Sequence, residues 1–135
     1  MLEIKNVHKT FNKGTINEKK ALNGVNLHLD PGDFVTIIGG NGAGKSTTLN
    51  MVAGVYPIDQ GTIILDGKDI SDLPEYKRAY MLGRVFQDPM MGTAAGMQIE
   101  ENMAMANRRG KKRGLSWGIT KKEKAQCVLG WLLLI

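Results

Sequence analysis

The sequence predicts an α/β fold: a short antiparallel β part, then a partial parallel sheet with helices. Three observations carry this. Apolar residues alternate along much of the first 29 positions, a β-branched run at 34–38 leads straight into a glycine-rich stretch at 39–46, and the residues behind it have helical spacing. Composition agrees. A chain of 135 residues, 42% hydrophobic and 23% charged, holds about one globular domain and is not wholly disordered.

Leu2, Ile4 and Val7 enclose Glu3 and Lys5, the pattern of a half-buried strand. Asn12-Lys13-Gly14 signals a turn, and Ala21, Leu22, Val25, Leu27 and Leu29 form a second strand closed by Asp30-Pro31-Gly32. Residues 34–38 are apolar on both faces, as in a buried parallel strand. A helix is expected over 47–53, with Leu49, Val52 and Ala53 on one side, Gly54 ending it and Pro57 just beyond. Residues 61–65 read as a strand with an Asp66-Gly67 turn. A short helix over 73–82, a strand over 84–87, a loop over 88–97 and a helix over 99–107 follow, and Thr120 with Glu123 suggests a capping box.

The single cysteine, Cys127, excludes an internal disulfide and a multi-cysteine zinc site. The charged N-terminus is not a signal peptide, and the longest apolar run is nine residues, against ~20 for a membrane span. Net charge is +5 but uneven: residues 108–124 hold eight Lys/Arg and one Glu, whereas the remaining 118 residues hold ten basic and twelve acidic side chains. This basic segment reads as a solvated loop, as a contact for anionic lipid or a membrane partner, or, least well, as a nucleic-acid surface, since only Trp117 lies near it.

The chemistry is concentrated in residues 39–46. GGNGAGKS fits G-x-x-x-x-G-K-[ST] at every fixed position, follows an apolar run and opens a helix. Glycines let a backbone bend tightly and turn its N–H groups toward a phosphate chain, and the positive end of the helix dipole faces the same anion. In such a loop Lys45 supplies a flexible cation for β- and γ-phosphates, and Ser46 a hydroxyl oxygen for Mg²⁺. The core is therefore expected to be that of a P-loop NTPase.

Around this loop the chain resembles the ATP-binding subunit of ATP-binding-cassette (ABC) transporters, from residue 1 to about 126. Ala21-Leu22-Asn23-Gly24-Val25, Pro31-Gly32-Asp33-Phe34, Lys45-Ser46-Thr47-Thr48-Leu49, Gln60-Gly61-Thr62-Ile63, Leu65-Asp66-Gly67, Val85-Phe86-Gln87-Asp88-Pro89 and Glu101-Asn102 carry the likeness. It implies an N-terminal antiparallel β subdomain beside the P-loop core, with residues 1–126 as the N-terminal portion of a nucleotide-binding domain and 127–135 as an aberrant apolar tail. It also implies that Phe11 stacks on adenine, although the same residue reads as an ordinary core aromatic. Gly39, Asn41, Gly42, Ala43, Gly44, Lys45, Ser46 and Thr47 would surround the phosphates of ATP; Ser46 and Gln87 would meet Mg²⁺, with Gln87 also placing water and coupling to a membrane subunit. Gln87 reads otherwise as a plain loop residue. Met90, Met91 and Met97 suit an adaptable apolar contact, though methionine also fills cores.

The implied partners are a membrane permease and a second ATP-binding subunit, with no specific nucleic acid. The implied location is peripheral, on the cytoplasmic face of the plasma membrane. The resemblance stops short of the family's second half. This sequence contains no Leu-Ser-Gly-Gly-Gln-like signature and no apolar strand ending in Asp-Glu; His8 and His28 both precede the loop, and Asp66 reads as a turn residue. The pattern changes abruptly after Gln126, which suggests a truncated or frame-shifted form of a longer subunit. Three expectations follow: nucleotide binding without efficient hydrolysis by this chain alone, residues 34–38 without sheet neighbours, and marginal stability. The alternatives are a non-catalytic or inert fragment, another P-loop enzyme such as a small-molecule kinase, and a soluble cassette ATPase of translation or repair.

Overall fold

The computed structural model describes residues 1–108 and 118–120, and they fall into two compact units, Met1–Arg78 and the residues from Ala79 onward. The tail at 127–135, Glu123 of the expected capping box and most of the basic segment lie outside the described residues.

The first unit contains β1 (Leu2–Phe11), β2 (Lys19–Leu29), α1 (Lys45–Ala53), β3 (Gln60–Leu65), β4 (Lys68–Asp69) and α2 (Glu75–Arg78). The strands form one antiparallel sheet in the order β2-β1-β3-β4. Register explains the alternation. Ile4 lies opposite Leu27 on one side and Ile63 on the other, and Ile4, Val7, Ile63 and Ile70 are all buried. The β1–β2 ladder is irregular between Ile4 and Val7, where Asn6 has φ 47° and Gly24 lies on the facing strand. The Asn6 N–H donates to the Asn26 side chain there (2.8 Å), which pairs an amide freed by the bulge. Asp66 (φ 49°) and Gly67 (φ 76°) make the tight β3–β4 turn, so Asp66 is the turn residue its neighbours suggested. It also holds the N-terminal ammonium at 2.7 Å.

Helix α1 starts two residues earlier than the spacing predicts and ends where expected. Gly54 is left-handed, with its N–H donating to the Met51 carbonyl (3.1 Å) and the Val55 N–H to that of Asn50 (2.9 Å). Its buried side is not the expected one: Met51 is buried, whereas Leu49 is 60% exposed. Nine residues are too few for periodicity to fix a face, and what packs against the helix decides instead. Behind it, Arg78 is 2% exposed and donates to four carbonyls: Met51 (2.7 Å), Val52 (3.0 Å), Ser71 (2.9 Å) and Leu73 (2.7 Å). Burial pushes its pKa down, while Asp72 and Asp69 oppose that shift.

Two expected strands are not formed. Residues 34–38 and 84–87 have no ladder among the described residues, and Phe34, Ile38 and Val85 are almost wholly exposed. The hydrogen-bonded ladder that defines a strand exists only beside a neighbouring strand. The described sheet ends at β2 and β4, so neither run has a neighbour, as anticipated for 34–38.

The second unit has a short 3₁₀ turn, Pro89–Gly92, within the expected loop, and then α3 (Ile99–Asn107), with the predicted bounds. Asp88 caps the turn through the Met90 N–H (2.9 Å). Glu101 reaches back to the Gln98 N–H (2.8 Å), and the Asn102 side chain binds both the N–H and the C=O of Ala94 (2.8 and 3.1 Å). The Glu101-Asn102 pair thus fixes how the chain enters α3.

Candidate functional site: a glycine-rich loop on a helix N-terminus

The chain leaves β2 through the Asp30-Pro31-Gly32 turn, closed by Asp30 N–H on the Asp33 carboxylate (2.8 Å). It then enters the loop at 39–46. A tight bend forms there, with the Ala43 N–H donating to the Gly40 carbonyl (3.2 Å) and Gly42 and Gly44 at φ 83° and 87°. Gly44 has no room for a side chain: an added Cβ would lie 2.7 Å from both the Ala21 carbonyl oxygen and Leu22 Cδ2. The absence of one methyl group therefore lets the loop sit directly on β2. A Cβ on Gly39 would lie 3.1 Å from that of Ala43, so the bend packs on itself.

The first bond of α1 runs from the Thr48 N–H to the Gly44 carbonyl (2.8 Å), and the Thr48 hydroxyl donates to the same oxygen (3.0 Å). The N–H groups before Thr48 thus face out of the helix end, with the positive pole of its dipole. The Lys45 ammonium donates to the carbonyls of Gly39 and Gly40 (2.8 Å to the latter), which holds the cation inside the bend. Ser46 is exposed and Thr47 half-buried on the same first turn. Free amides, a positive helix end, an ammonium and a hydroxyl in one concave bend form a donor set for a phosphate chain and its metal ion.

Phe11 ends β1 and is half-buried. Tyr56 meets its ring edge-on (centroids 5.3 Å, 82°), and the Lys9 ammonium lies 5.6 Å from its centroid. Lys9 is in turn held by Asp59 (3.0 Å), whose carboxylate also accepts from the Thr10 N–H (2.6 Å). The Thr10 bond above all, with help from Lys9, draws the Asp59 pKa below the usual carboxylate value against the opposing effect of burial. Tyr56 and Asp59 carry no sequence signal of this arrangement, because they are brought to the end of β1 from a distant segment.

Phe11, Gly39, Asn41, Gly42, Ala43, Gly44, Lys45, Ser46 and Thr47 all belong to the first unit. Gln87 belongs to the second, where it is exposed and follows Phe86, whose ring carries the Arg84 guanidinium at 4.5 Å. Met90, Met91 and Met97 are exposed, so they are not filling that unit's core. Among the described residues there is no cluster of three metal-ligating side chains and no helix long and apolar enough to cross a membrane.

The antiparallel sheet followed by this loop and helix places the chain in the P-loop NTPase fold class. The family is equally plain: the ABC transporter family profile matches residues 22–134, and the chain belongs to that family. The tyrosine transport ATP-binding protein of Clostridioides difficile is 41% identical over 111 residues, covering 82% of this chain and 44% of its own length. A spermidine/putrescine import ATP-binding protein of Haemophilus influenzae is 38% identical over 108 residues, covering 80% of this chain and 27% of its own. Among solved structures, a dimeric ATP-binding cassette in a post-hydrolysis state bound to ADP and Pi superposes with a TM-score of 0.77 at 29% identity, covering 98% of this chain and 56% of that one. A nucleotide-free cassette from an ABC transporter gives 0.74 at 29%, covering 99% and 54%. The chain spans less than half the length of these curated relatives.

Proposed function

We propose that this chain provides the nucleotide-binding part of an ABC transporter's ATP-binding subunit, and that its ligand is ATP with Mg²⁺. The observation that carries the reading is the loop at 39–46, locked onto β2 by Gly44 and opening α1 with Lys45 drawn into its bend. The donor set fits a triphosphate. Gly39, Asn41, Gly42, Ala43 and Gly44 present backbone to it, Lys45 neutralises its distal charge, and Thr47 adds a donor on the first helical turn. Phe11 offers a π-face for adenine. Ser46 and Gln87 supply oxygen ligands for magnesium, which when bound offsets charge on the phosphate oxygens.

The same reading gives Gln87 the coupling role toward a permease and gives the exposed Met90, Met91 and Met97 an apolar contact with it. The subunit would work as a pair with a second ATP-binding subunit, peripheral on the cytoplasmic face of the plasma membrane. The sequence contains neither an apolar strand ending in Asp-Glu nor a signature motif, so this chain alone binds ATP without efficient turnover. Calorimetry with Mg-ATP tests the reading: saturable, magnesium-dependent binding that Lys45→Ala abolishes is expected. Absence of binding by the wild-type chain overturns it, and steady phosphate release at ordinary ATPase rates overturns the binding-only part.

A further inference from the structure

We infer that Lys19 is a second phosphate-binding cation of this nucleotide site, acting on the phosphates nearest the base. The inference rests on the nucleotide-binding reading above and extends it to a residue outside the loop. Lys19 is the first residue of β2 and lies directly opposite Phe11 in the β1–β2 ladder. Its ammonium reaches from there to the glycine loop, to 3.4 Å from where a Cβ on Gly42 would stand. One side chain thus joins the two places that a nucleotide must span, the aromatic at one end and the phosphate bend at the other.

Its chemistry suits an anion. Lys19 is exposed, and no ion pair engages it among the described residues, whereas Lys9 on the facing strand is paired with Asp59. An unpaired ammonium beside a positive helix end is repelled by its surroundings, and a bound polyphosphate reverses the sign of that interaction. Gly42 matters here as well. At φ 83° it bends the loop beside the Lys19 ammonium. Lys20, the next residue, pairs with Thr10 in the ladder, and alternation along a strand sends neighbouring side chains to opposite faces. It is therefore the matched control for loss of one positive charge.

The position predicts a pattern as well as a loss. Lys45 lies deep in the bend and Lys19 toward Phe11, so Lys19 serves phosphates that ADP and ATP share. Mg-ADP and Mg-ATP titrations on the full chain test this at low and moderate salt. Lys19→Met is expected to weaken both nucleotides equally, by about three- to tenfold at low salt, with a smaller difference at higher salt. Lys19→Arg should recover most of the loss, and Lys20→Met should leave both affinities unchanged. Unaltered circular dichroism of Lys19→Met shows that the sheet is intact. The inference is overturned if Lys19→Met binds both nucleotides like the wild type, if Lys20→Met is equally impaired, or if the loss is confined to ATP. If Lys45→Ala abolishes binding while Lys19→Met does not weaken it, only this inference fails. If the wild type binds neither nucleotide, the nucleotide-binding reading fails and takes this one with it.

Discussion

Replacing Arg78 with methionine removes one guanidinium and leaves four carbonyl groups behind. Two of them, Met51 and Val52, belong to the last turn of the helix that starts at the glycine loop, and the others, Ser71 and Leu73, belong to the segment between β4 and α2. The guanidinium therefore ties the far end of α1 to the sheet's last turn, and it offsets the negative end of the helix dipole. A buried polar group without its partner costs about 1–3 kcal/mol. Four such groups would set the ceiling, but the helix-end carbonyls regain water when the site loosens. A net loss of about 3–5 kcal/mol is expected, the cost of two or three such groups left without a partner. Apolar replacement of a buried ion pair can be harmless because both charges leave together. Here the acceptors are backbone and stay. Against a typical total of about 5–15 kcal/mol, such a loss removes much of the stability. A lysine at this position cannot substitute fully, since an ammonium has three donors and no planar fork, so the conservative Arg78→Lys change should fall between the two. Urea unfolding followed by circular dichroism reads the effect. A midpoint for Arg78→Met equal to that of the wild type would refute the clamp.

Three further outcomes follow from the same geometry. Gly44→Ala should lose nucleotide affinity and destabilise the first unit by about 1–3 kcal/mol, because its Cβ meets β2 at 2.7 Å and its φ is 87°; a melting curve and a nucleotide titration that both match the wild type would count against it. The lowered Asp59 pKa stabilises the fold above the unfolded-state value near 3.8, and this contribution fades as pH falls through the lower folded value; the wild-type advantage over Asp59→Asn should thus be flat above about pH 5 and vanish in acid, as pH-dependent urea midpoints would record. The isolated chain should be aggregation-prone through Phe34 and Ile38, which are 94% and 89% exposed; the double change Phe34→Lys with Ile38→Lys should lower light scattering without shifting the unfolding midpoint, and unchanged scattering would place the sticky surface elsewhere.

Local patterns were legible wherever local interactions decide the outcome. Alternation marked β1 and β2, Asp66-Gly67 marked the hairpin, Gly54 marked the end of α1, and residues 99–107 formed α3 as their helical propensity suggested. The phosphate motif was legible for the same reason: its glycines, lysine and serine meet within eight residues, so their chemistry needs no distant partner. What depended on neighbours was not legible. Residues 34–38 have every property of a buried strand, yet a strand exists only beside another, and among the described residues none lies alongside. Tyr56 meets Phe11, Asp59 holds Lys9, Lys19 reaches Gly42, and Arg78 closes α1 across intervals of up to 50 residues. Sequence alone determined the glycine-rich bend and the helix it opens, because both lie in short-range backbone geometry. Tertiary structure alone decided which cations stand beside that bend and which apolar residues stay in water, because both depend on register and packing between segments that the sequence sets far apart.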